Sequence, residues 1–326
     1  MNGSSDDPEV IARNLNKTIK NRCPVDERQV IIRRQYGMSQ VCINTIGCQM
    51  GLSGYCTFCN YNHGNGLGNV DVDELIKIIV GSIHPGDTSL LIGSSGSILD
   101  DQEFPTSLLT KILEALEFVD IENLILETRL GTITVESLEL IKNHTTHKIN
   151  IEFGLESSNP GVLRYSLNKS LNLNEVASKV ELVHKYGYHV TANVLLGAPL
   201  LTREEQITDT VSTIKWAIKN GVDDIVVFPI NIRRYTLLES MYAEGLYEVI
   251  DQQMMLKVLS ELCPEILARV SLSWTDPKQT DDRMIVVHPY SEFGHVYDIY
   301  KRFMDESDGK VRAVIVKEIP TDIRCN

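Results

Sequence analysis

Four of the seven cysteines of this 326-residue chain lie within eighteen residues, at Cys42, Cys48, Cys56 and Cys59. Closely spaced thiolates are soft ligands that suit zinc or an iron–sulfur cluster. A structural zinc site normally has two pairs of ligands, but here only Cys56 and Cys59 form a C-x2-C pair, with His63 as the next candidate. Three cysteine ligands on a four-iron cluster would leave one iron open for another ligand. The spacing therefore favours an iron–sulfur cluster, with zinc as the alternative.

Cys48 is preferred over Cys42 as the third cluster ligand. Cys42 lies inside the stretch "VCINTI" (41–46), which reads as a buried strand, whereas Cys48 follows the end of that strand. Ligands of parallel α/β proteins bind at the carboxyl ends of the strands. The other three cysteines are scattered along the chain and are interpreted as ordinary small residues.

The composition limits the partners that this chain can have. The formal net charge is −13, so phosphates would be repelled overall, and broad binding to nucleic acid or to membrane surfaces is not expected. No apolar stretch approaches the roughly eighteen residues of a membrane span, and the chain opens with a polar segment rather than a signal peptide. We therefore expect a cytoplasmic protein without a membrane partner. In a reducing cytosol, clustered cysteines more often bind metal than form disulfides.

Strands and helices alternate along most of the chain and must position these cysteines. Six stretches rich in Val, Ile and Leu are each followed by a helical pattern, between residue 41 and about residue 245. Such alternation predicts a parallel sheet with helices outside it. Six units exceed what a small doubly wound domain needs and fall short of a complete eightfold barrel. We predict an α/β fold, a partial (β/α)6 barrel, with a doubly wound sheet as the alternative.

Three segments are distinguished along the chain. Residues 1–40 read as an N-terminal leader with a helical patch, residues 41–247 as the barrel, and residues 248–326 as a small C-terminal α+β extension. The stretch 251–270 is interpreted as one long helix at the start of the extension. Because no Pro-rich or low-complexity linker separates the extension, we expect it to pack against the barrel and cap its mouth.

The loop after the first predicted strand resembles that of the radical S-adenosylmethionine (SAM) superfamily. There, three cysteines commonly follow a CxxxCxxC spacing with an aromatic residue before the last one, and here the ending stands as Cys56-Thr57-Phe58-Cys59. The gap of seven residues after Cys48 departs from the commonest three and fits the looser spacing of the Elp3-like branch. The resemblance implies that Cys48, Cys56 and Cys59 bind three irons of a [4Fe–4S] cluster. SAM would chelate the fourth iron, and Phe58 would pack near its adenine.

The resemblance extends over residues 41–247, where motifs at successive strand ends look most like the radical-SAM subunit of archaeosine synthase and, more distantly, the Elp3 catalytic core. It implies a series of SAM contacts at these strand ends. They are Ser94, Ser95, Gly96 and Ser97 for the amino group, Glu127 and Arg129 for SAM or a substrate carboxylate, Glu156 for the ribose, Asn193 on the adenine side, and Pro229 and Asn231 at the sixth strand.

Each of these assignments has a structural alternative. The serines and the glycine would also suit an ordinary turn, and Glu156 would also suit a helix N-terminus. Glu127 and Arg129 would also suit a buried ion pair. Three cations, Lys169, Arg233 and Arg234, are candidates for binding an anionic group or are simply solvated charges.

By the same resemblance, the chain would be a radical SAM enzyme. A flavodoxin or ferredoxin would supply one electron, and cleavage of SAM would yield a 5′-deoxyadenosyl radical that takes a hydrogen from the substrate. We expect a small molecule derived from a nucleoside or an amino acid, because the acidic chain shows no arginine-rich arm for RNA. Two alternatives stay open: an enzyme that modifies a nucleoside in tRNA, and a non-catalytic interaction module stapled by zinc.

Overall fold

One sheet of eight strands runs through the centre of the computed structural model, which describes residues 7–35, 38–62, 64, 71–273, 284–286 and 294–318. The strands of the described chain are β1 (Val30–Gln35), β2 (Met38–Ile43), β3 (Ser89–Ser94), β4 (Asn123–Thr128), β5 (Lys148–Glu156), β6 (His189–Leu196), β7 (Asp224–Pro229), β8 (Ile232–Arg233), β9 (Val270–Leu272) and β10 (Met284–Val286). Strands β8 and β10 form a separate two-stranded sheet.

The helices alternate with these strands. They are α1 (Pro8–Lys20), α2 (Gln49–Leu52), α3 (Val72–Gly81), α4 (Thr106–Leu116), α5 (Val135–His144), α6 (Val176–Lys185), α7 (Arg203–Lys219), α8 (Leu237–Ala243), α9 (Gln252–Ser260), α10 (Pro264–Leu267), α11 (Gly294–Asp305) and α12 (Gly309–Val316). Among these helices and the rest of the described chain, none is long and apolar enough to cross a membrane.

The strands of the main sheet follow one another in the order β1-β2-β3-β4-β5-β6-β7-β9. Strand β1 is antiparallel to β2, and all the other neighbours are parallel. A doubly wound sheet reverses its strand order at a switch point, and this sheet does not. Right-handed crossovers in one direction place the helices on one face and leave the other face to curl inward. The predicted partial barrel is confirmed, with β2–β7 as its six strands.

Alternation along the strands separates the apolar core from the inner face. In β5, Ile149, Ile151 and Phe153 are buried in the core beneath the helices. Glu152 and Gly154 have the opposite orientation and line a cavity on the inner face. The helix layer therefore supplies the stability of the barrel, while polar residues are left to the concave side.

The single long helix predicted over 251–270 is wrong. Helix α9 ends at Ser260, and α10 begins at Pro264 with Cys263 as its N-cap. Proline has no amide hydrogen to continue a helix but fits the first helical position, so it ends one helix and starts another. The chain then enters β9, which adds to the sheet beside β7.

The residues read as a leader contain two ordered elements. Strand β1 pairs with β2 along its whole length, from Val30 opposite Ile43 to Gln35 opposite Met38. Helix α1 begins after Asp7, whose side chain accepts a hydrogen bond from the Glu9 amide. Residues before 41 therefore contribute both an edge strand of the main sheet and a helix that contacts the cysteine loop.

Candidate active site

A cavity of about 690 Å³ occupies the inner face of the curled sheet. All three cysteines assigned to the cluster line it, as do the following predicted contacts: Phe58, Gly96, Glu127, Arg129, Glu156, Asn193, Pro229 and Asn231. Two of the predicted cations, Lys169 and Arg233, line it as well. These residues come from the carboxyl ends or the inner faces of different strands, so the fold brings together side chains that are far apart in the sequence.

The cysteine loop has a defined backbone conformation. Cys48 is the N-cap of α2, and its amide donates to the Tyr61 carbonyl at 2.6 Å. Gly47 has φ +95°, and a Cβ there would lie 2.7 Å from the backbone carbon of Asn62, so no other residue fits. Cys56 also has a positive φ, +56°, and its amide donates to the Asn168 carbonyl at 2.9 Å. The loop is therefore tied to its own far end and to the segment after β5.

Helix α1 packs against this loop with its polar face inward. Asn16 is completely buried, and its amide group donates to the carbonyls of Gly54 (2.8 Å), Tyr55 (3.3 Å) and Cys56 (3.4 Å). Its oxygen accepts from the Leu237 amide at 3.0 Å, at the start of α8. Buried Lys20 donates to the Tyr55 carbonyl at 2.6 Å. Carbonyls that the loop cannot satisfy internally are thus satisfied by α1.

Replacing Asn16 by alanine is expected to loosen the cysteine loop. The variant removes the donor to three loop carbonyls and the acceptor of the Leu237 amide, at a cost of about 1–3 kcal/mol for buried groups left unpaired. Amide hydrogen exchange in peptides covering residues 48–59 should become about tenfold faster or more. Asn14→Ala, an exposed change two residues away on the same helix, is the matched control. Equal exchange in both variants would contradict this role for Asn16.

Burial and charge act in opposite directions on the loop thiols. Burial raises the pKa of Cys56 to about 12, while the nearby Lys169 and Lys20 ammonium groups oppose the increase. Burial also raises the pKa of Cys48, and Glu103 adds to the increase. Arg129 counters it, with Nη1 at 3.6 Å from the Cys48 sulfur. A metal that needs thiolate ligands would therefore release protons when it binds here.

Cys42 lies on the inward-facing side of β2, in alternation with the buried Val41 and Ile43, but it is not among the described residues that line the cavity. The rival candidate His63 lies outside the described residues. In the part of the chain that the structure describes, no three Cys, His, Asp or Glu side chains are grouped closely enough to surround a single metal ion.

The serine side chains in the turn after β3 do not face the cavity. Ser94, Ser95 and Ser97 are buried, and only Gly96 lines the cavity. The Ser95 hydroxyl accepts from the Thr45 amide at 2.9 Å. The Ser97 hydroxyl lies within hydrogen-bond distance of two threonine hydroxyls, those of Thr128 (2.6 Å) and Thr132 (2.8 Å). These hydrogen bonds therefore fix the conformation of the turn. Of its four residues, Gly96 is the one that lines the cavity.

Glu103 is a site residue that the sequence does not reveal. It is 1% exposed, and its two carboxylate oxygens accept from the amides of Gln49 and Ser97, each at 2.6 Å. It also forms an ion pair with Arg129, whose other nitrogen lies 2.5 Å from Asp100. A lone glutamate in "DDQEFP" has no periodic or motif signal. Its position shows that one carboxylate joins the cysteine loop to the β3 turn.

Glu127 and Arg129 do not form the ion pair considered as their structural alternative. Arg129 is paired with Glu103 and Asp100 among the described residues, whereas Glu127 sits on the inner face of β4. Burial raises the pKa of Glu127 to about 7, and the carboxylates of Glu152 and Glu156 add to the increase. The two residues face the same cavity with separate partners.

Glu156 and Lys169 form a buried ion pair at the wall of the cavity. Glu156 Oε1 and Lys169 Nζ are 2.8 Å apart, with the side chains 8% and 16% exposed. Glu156 has φ +65°, a conformation that is rare outside glycine. Its Oε2 is buried and has no hydrogen-bond partner among the described residues. A buried carboxylate oxygen without a donor fits a ligand hydroxyl there.

The remaining predicted residues divide between the cavity and its support. Asn193 lines the cavity and donates to Glu152 Oε1 at 2.9 Å. Arg233 stacks over the Tyr61 ring at 4.9 Å, whereas Arg234 is not among the described lining residues. In the 197–199 turn, the Gly197 carbonyl accepts from the Tyr247 hydroxyl at 2.8 Å. Glu152, which the sequence did not single out, thus belongs to the site.

The sequence of this chain is similar to those of known proteins. The family model described as "Radical SAM superfamily" matches residues 43–211. Archaeosine synthase subunit beta of Methanosarcina acetivorans is 25% identical over 213 residues, which cover 64% of this chain and 61% of that protein. The corresponding subunit of Thermococcus kodakarensis is 23% identical over 215 residues, covering 64% and 66%. The chain thus spans about six tenths to two thirds of the length of these curated relatives.

Solved structures support the fold. The chain is similar to Elp3 of Methanocaldococcus infernus with an N-terminal deletion, at a TM-score of 0.53 and 13% identity, covering 82% of this chain and 63% of that one. Methylornithine synthase has a TM-score of 0.52 at 12% identity, covering 92% and 88%. At such low identity these likenesses show a shared partial barrel and nothing about substrates.

Proposed function

We propose a function for this chain, which belongs to the radical SAM superfamily and is an enzyme. The three loop cysteines would hold a [4Fe–4S] cluster, and SAM would bind beside the cluster in the cavity. The observation that carries this proposal is that Cys48, Cys56 and Cys59 all line the same cavity as Glu156 and Asn193. When reduced, the cluster would supply the electron that cleaves SAM to a 5′-deoxyadenosyl radical. Zinc-stapled, non-catalytic function is not supported, because the superfamily is one of enzymes.

The residues of this chain fit both groups. The donor set consists of three thiols on a loop whose backbone is held by α1 and by the 167–168 segment. Lys20 and Lys169 place positive charge near Cys56, which offsets the negative charge of thiolates. The partnerless Oε2 of Glu156 is suited to accept from a ribose hydroxyl. Phe58 lines the same cavity and offers an aromatic face for the adenine.

The substrate that we propose is a small molecule derived from a nucleoside or an amino acid. A cavity of about 690 Å³ has the size of small-molecule sites, and it is lined by further polar side chains that are not assigned to SAM, among them Asn150, Glu152 and Thr191. Enclosure by the strands would keep water away from a reactive radical. As in the family generally, an electron donor such as flavodoxin or ferredoxin is required.

Anaerobic reconstitution tests the proposal directly. We expect about four irons and four sulfides per chain, and 5′-deoxyadenosine formation when dithionite and SAM are added. One bound zinc without sulfide, together with no SAM cleavage, would overturn the assignment. The measurement needs no knowledge of the substrate, because the cleavage product is counted rather than the modified molecule.

A second candidate is the modification of a nucleoside in tRNA. The relatives named archaeosine synthase subunit beta favour it, while the net charge of −13 does not. Titration of labelled tRNA at two salt concentrations separates the two candidates. Binding that weakens steeply with salt would support tRNA as the substrate, and the absence of binding at low salt would support a small molecule.

A further inference from the structure

Two glutamates lie side by side on the inner face of the barrel. Glu127 of β4 and Glu152 of β5 are register partners in neighbouring parallel strands, which run about 4.8 Å apart. Both side chains line the cavity. Like charges in neighbouring register positions destabilise a sheet. The sheet therefore keeps two carboxyl groups close together on the wall of the cavity.

Among the described residues, cations offset the charge of Glu127 only in part and form no ion pair with Glu152. Glu152 is 8% exposed, and its partner among the described residues is the neutral amide of Asn193, at 2.9 Å. Burial raises the pKa of Glu152. The Lys169 ammonium group lowers the pKa of Glu127, but it is already paired with Glu156 at 2.8 Å. Arg33 of β1 also lines the cavity and lowers the pKa of Glu127, whereas no cation among the described residues forms an ion pair with Glu152.

Two hydrogen-bond acceptors on the same face of β5 have no donor among the described residues. Asn150 lies two residues before Glu152 and lines the cavity. Its amide nitrogen donates to the Thr191 hydroxyl at 2.9 Å, which fixes its orientation, and its oxygen is buried without a partner among the described residues. At the other end of the strand, Oε2 of Glu156, a residue only 6% exposed, also has no donor among the described residues, and it is the acceptor assigned above to the SAM ribose. Buried acceptors without donors indicate that a ligand supplies the donors.

We propose that Glu127 and Glu152, supported by Asn150, bind a positively charged, N–H-donating group of the substrate, such as an amine or an amidine. This inference rests on the proposed function, because it assigns part of the same cavity to the substrate. An N–H-bearing cation between the two carboxyl groups removes their repulsion and satisfies the Asn150 oxygen. The sulfonium and ammonium groups of SAM are the competing occupants, and they are distinguished below.

The test uses three small probes with the same ring and different charge. Reconstituted enzyme is first saturated with S-adenosylhomocysteine, so that the SAM site is filled, and is then titrated by calorimetry with benzamidine, benzamide and benzoate. We expect benzamidine to bind more tightly than the neutral benzamide, and benzoate not to bind. Glu152→Gln and Glu127→Gln should each weaken benzamidine binding about tenfold or more, because each removes a charged hydrogen-bond acceptor. Glu136→Gln, an exposed change on α5, should leave it unaltered.

Several results would overturn the inference. They are benzamidine binding no tighter than benzamide, benzamidine binding unchanged in both glutamine variants, and no benzamidine binding at all. Loss of S-adenosylhomocysteine affinity in Glu152→Gln, with benzamidine competing for that ligand, would assign the pair to SAM instead. Iron content and 5′-deoxyadenosine formation measured on the same preparations show separately whether the proposed function holds, so the two failures cannot be confused.

Discussion

Replacing Cys56 by alanine is expected to reduce the iron content of the reconstituted enzyme to near zero and to lower 5′-deoxyadenosine formation by about 1,000-fold or more. Cys56 lies between Cys48 and Cys59 in the sequence and lines the cavity. Its amide donates to the Asn168 carbonyl and its carbonyl accepts from Asn16, so its backbone is held by two residues outside the loop. Loss of one thiolate removes one of the three covalent anchors that we propose for the cluster. Iron and sulfide analysis with product counting by chromatography provides the measurement.

Cys23→Ala and Cys42→Ala are the matched controls for this change. Cys23 is a buried cysteine whose sulfur lies 3.6 Å from the Pro24 carbonyl, and Cys42 is the rival ligand on β2. Both variants should retain iron and sulfide close to the wild-type amounts. A Cys42→Ala enzyme that loses its iron while Cys48→Ala retains it would show that the third ligand has been misassigned.

Glu156→Gln is expected to have two large effects that can be separated. The variant leaves Lys169 as a buried cation without its carboxylate, and breaking such a pair costs about 3 kcal/mol of unfolding free energy. SAM affinity should fall about 10- to 100-fold, because a hydrogen bond to a charged acceptor contributes about 1.5–3 kcal/mol. Urea unfolding of the metal-free chain measures the first effect, and SAM calorimetry on the reconstituted enzyme measures the second.

The exposed pair of Glu181 and Lys185 offers the matched control. Its side chains are 69% and 65% exposed, so Glu181→Gln should change the unfolding free energy by no more than about 0.5 kcal/mol. A double variant, Glu156→Gln with Lys169→Met, removes the unpaired cation and should recover much of the lost stability without recovering SAM affinity. Unchanged SAM affinity in Glu156→Gln would contradict the assignment of this residue to SAM, whatever its effect on stability.

The fold class was accessible from local patterns, and the proposed cysteine ligands also come from a local pattern. Strands rich in Val, Ile and Leu, such as the one that contains Leu124 and Leu126, alternate with helices because one face of each must be buried. The spacing of Cys48, Cys56 and Cys59 is a property of a short segment, and the loop that holds them follows directly after a strand. Both signals involve neighbours within about a dozen residues, which is the range over which a sequence pattern is informative.

Other residues of the site could not be predicted, because their roles depend on contacts between distant parts of the sequence. Asn16 contacts the Gly54 carbonyl 38 residues away and the Leu237 amide 221 residues away, so nothing near Asn16 in the sequence marks its role. Glu103 likewise reaches the Gln49 amide across 54 residues. The single helix predicted over 251–270 is wrong for a local reason, since Pro264 permits only a new helix start.

By itself, then, the sequence determined the succession of strands and helices in the barrel and the cysteines that we propose as cluster ligands, because burial periodicity and ligand spacing are encoded locally. Only the tertiary structure decided which polar side chains meet. The parallel register of β4 and β5 places Glu127 beside Glu152. The segment that follows β5 brings Lys169 to Glu156. Pairing across strands depends on how the whole sheet is assembled, and no single segment carries that information.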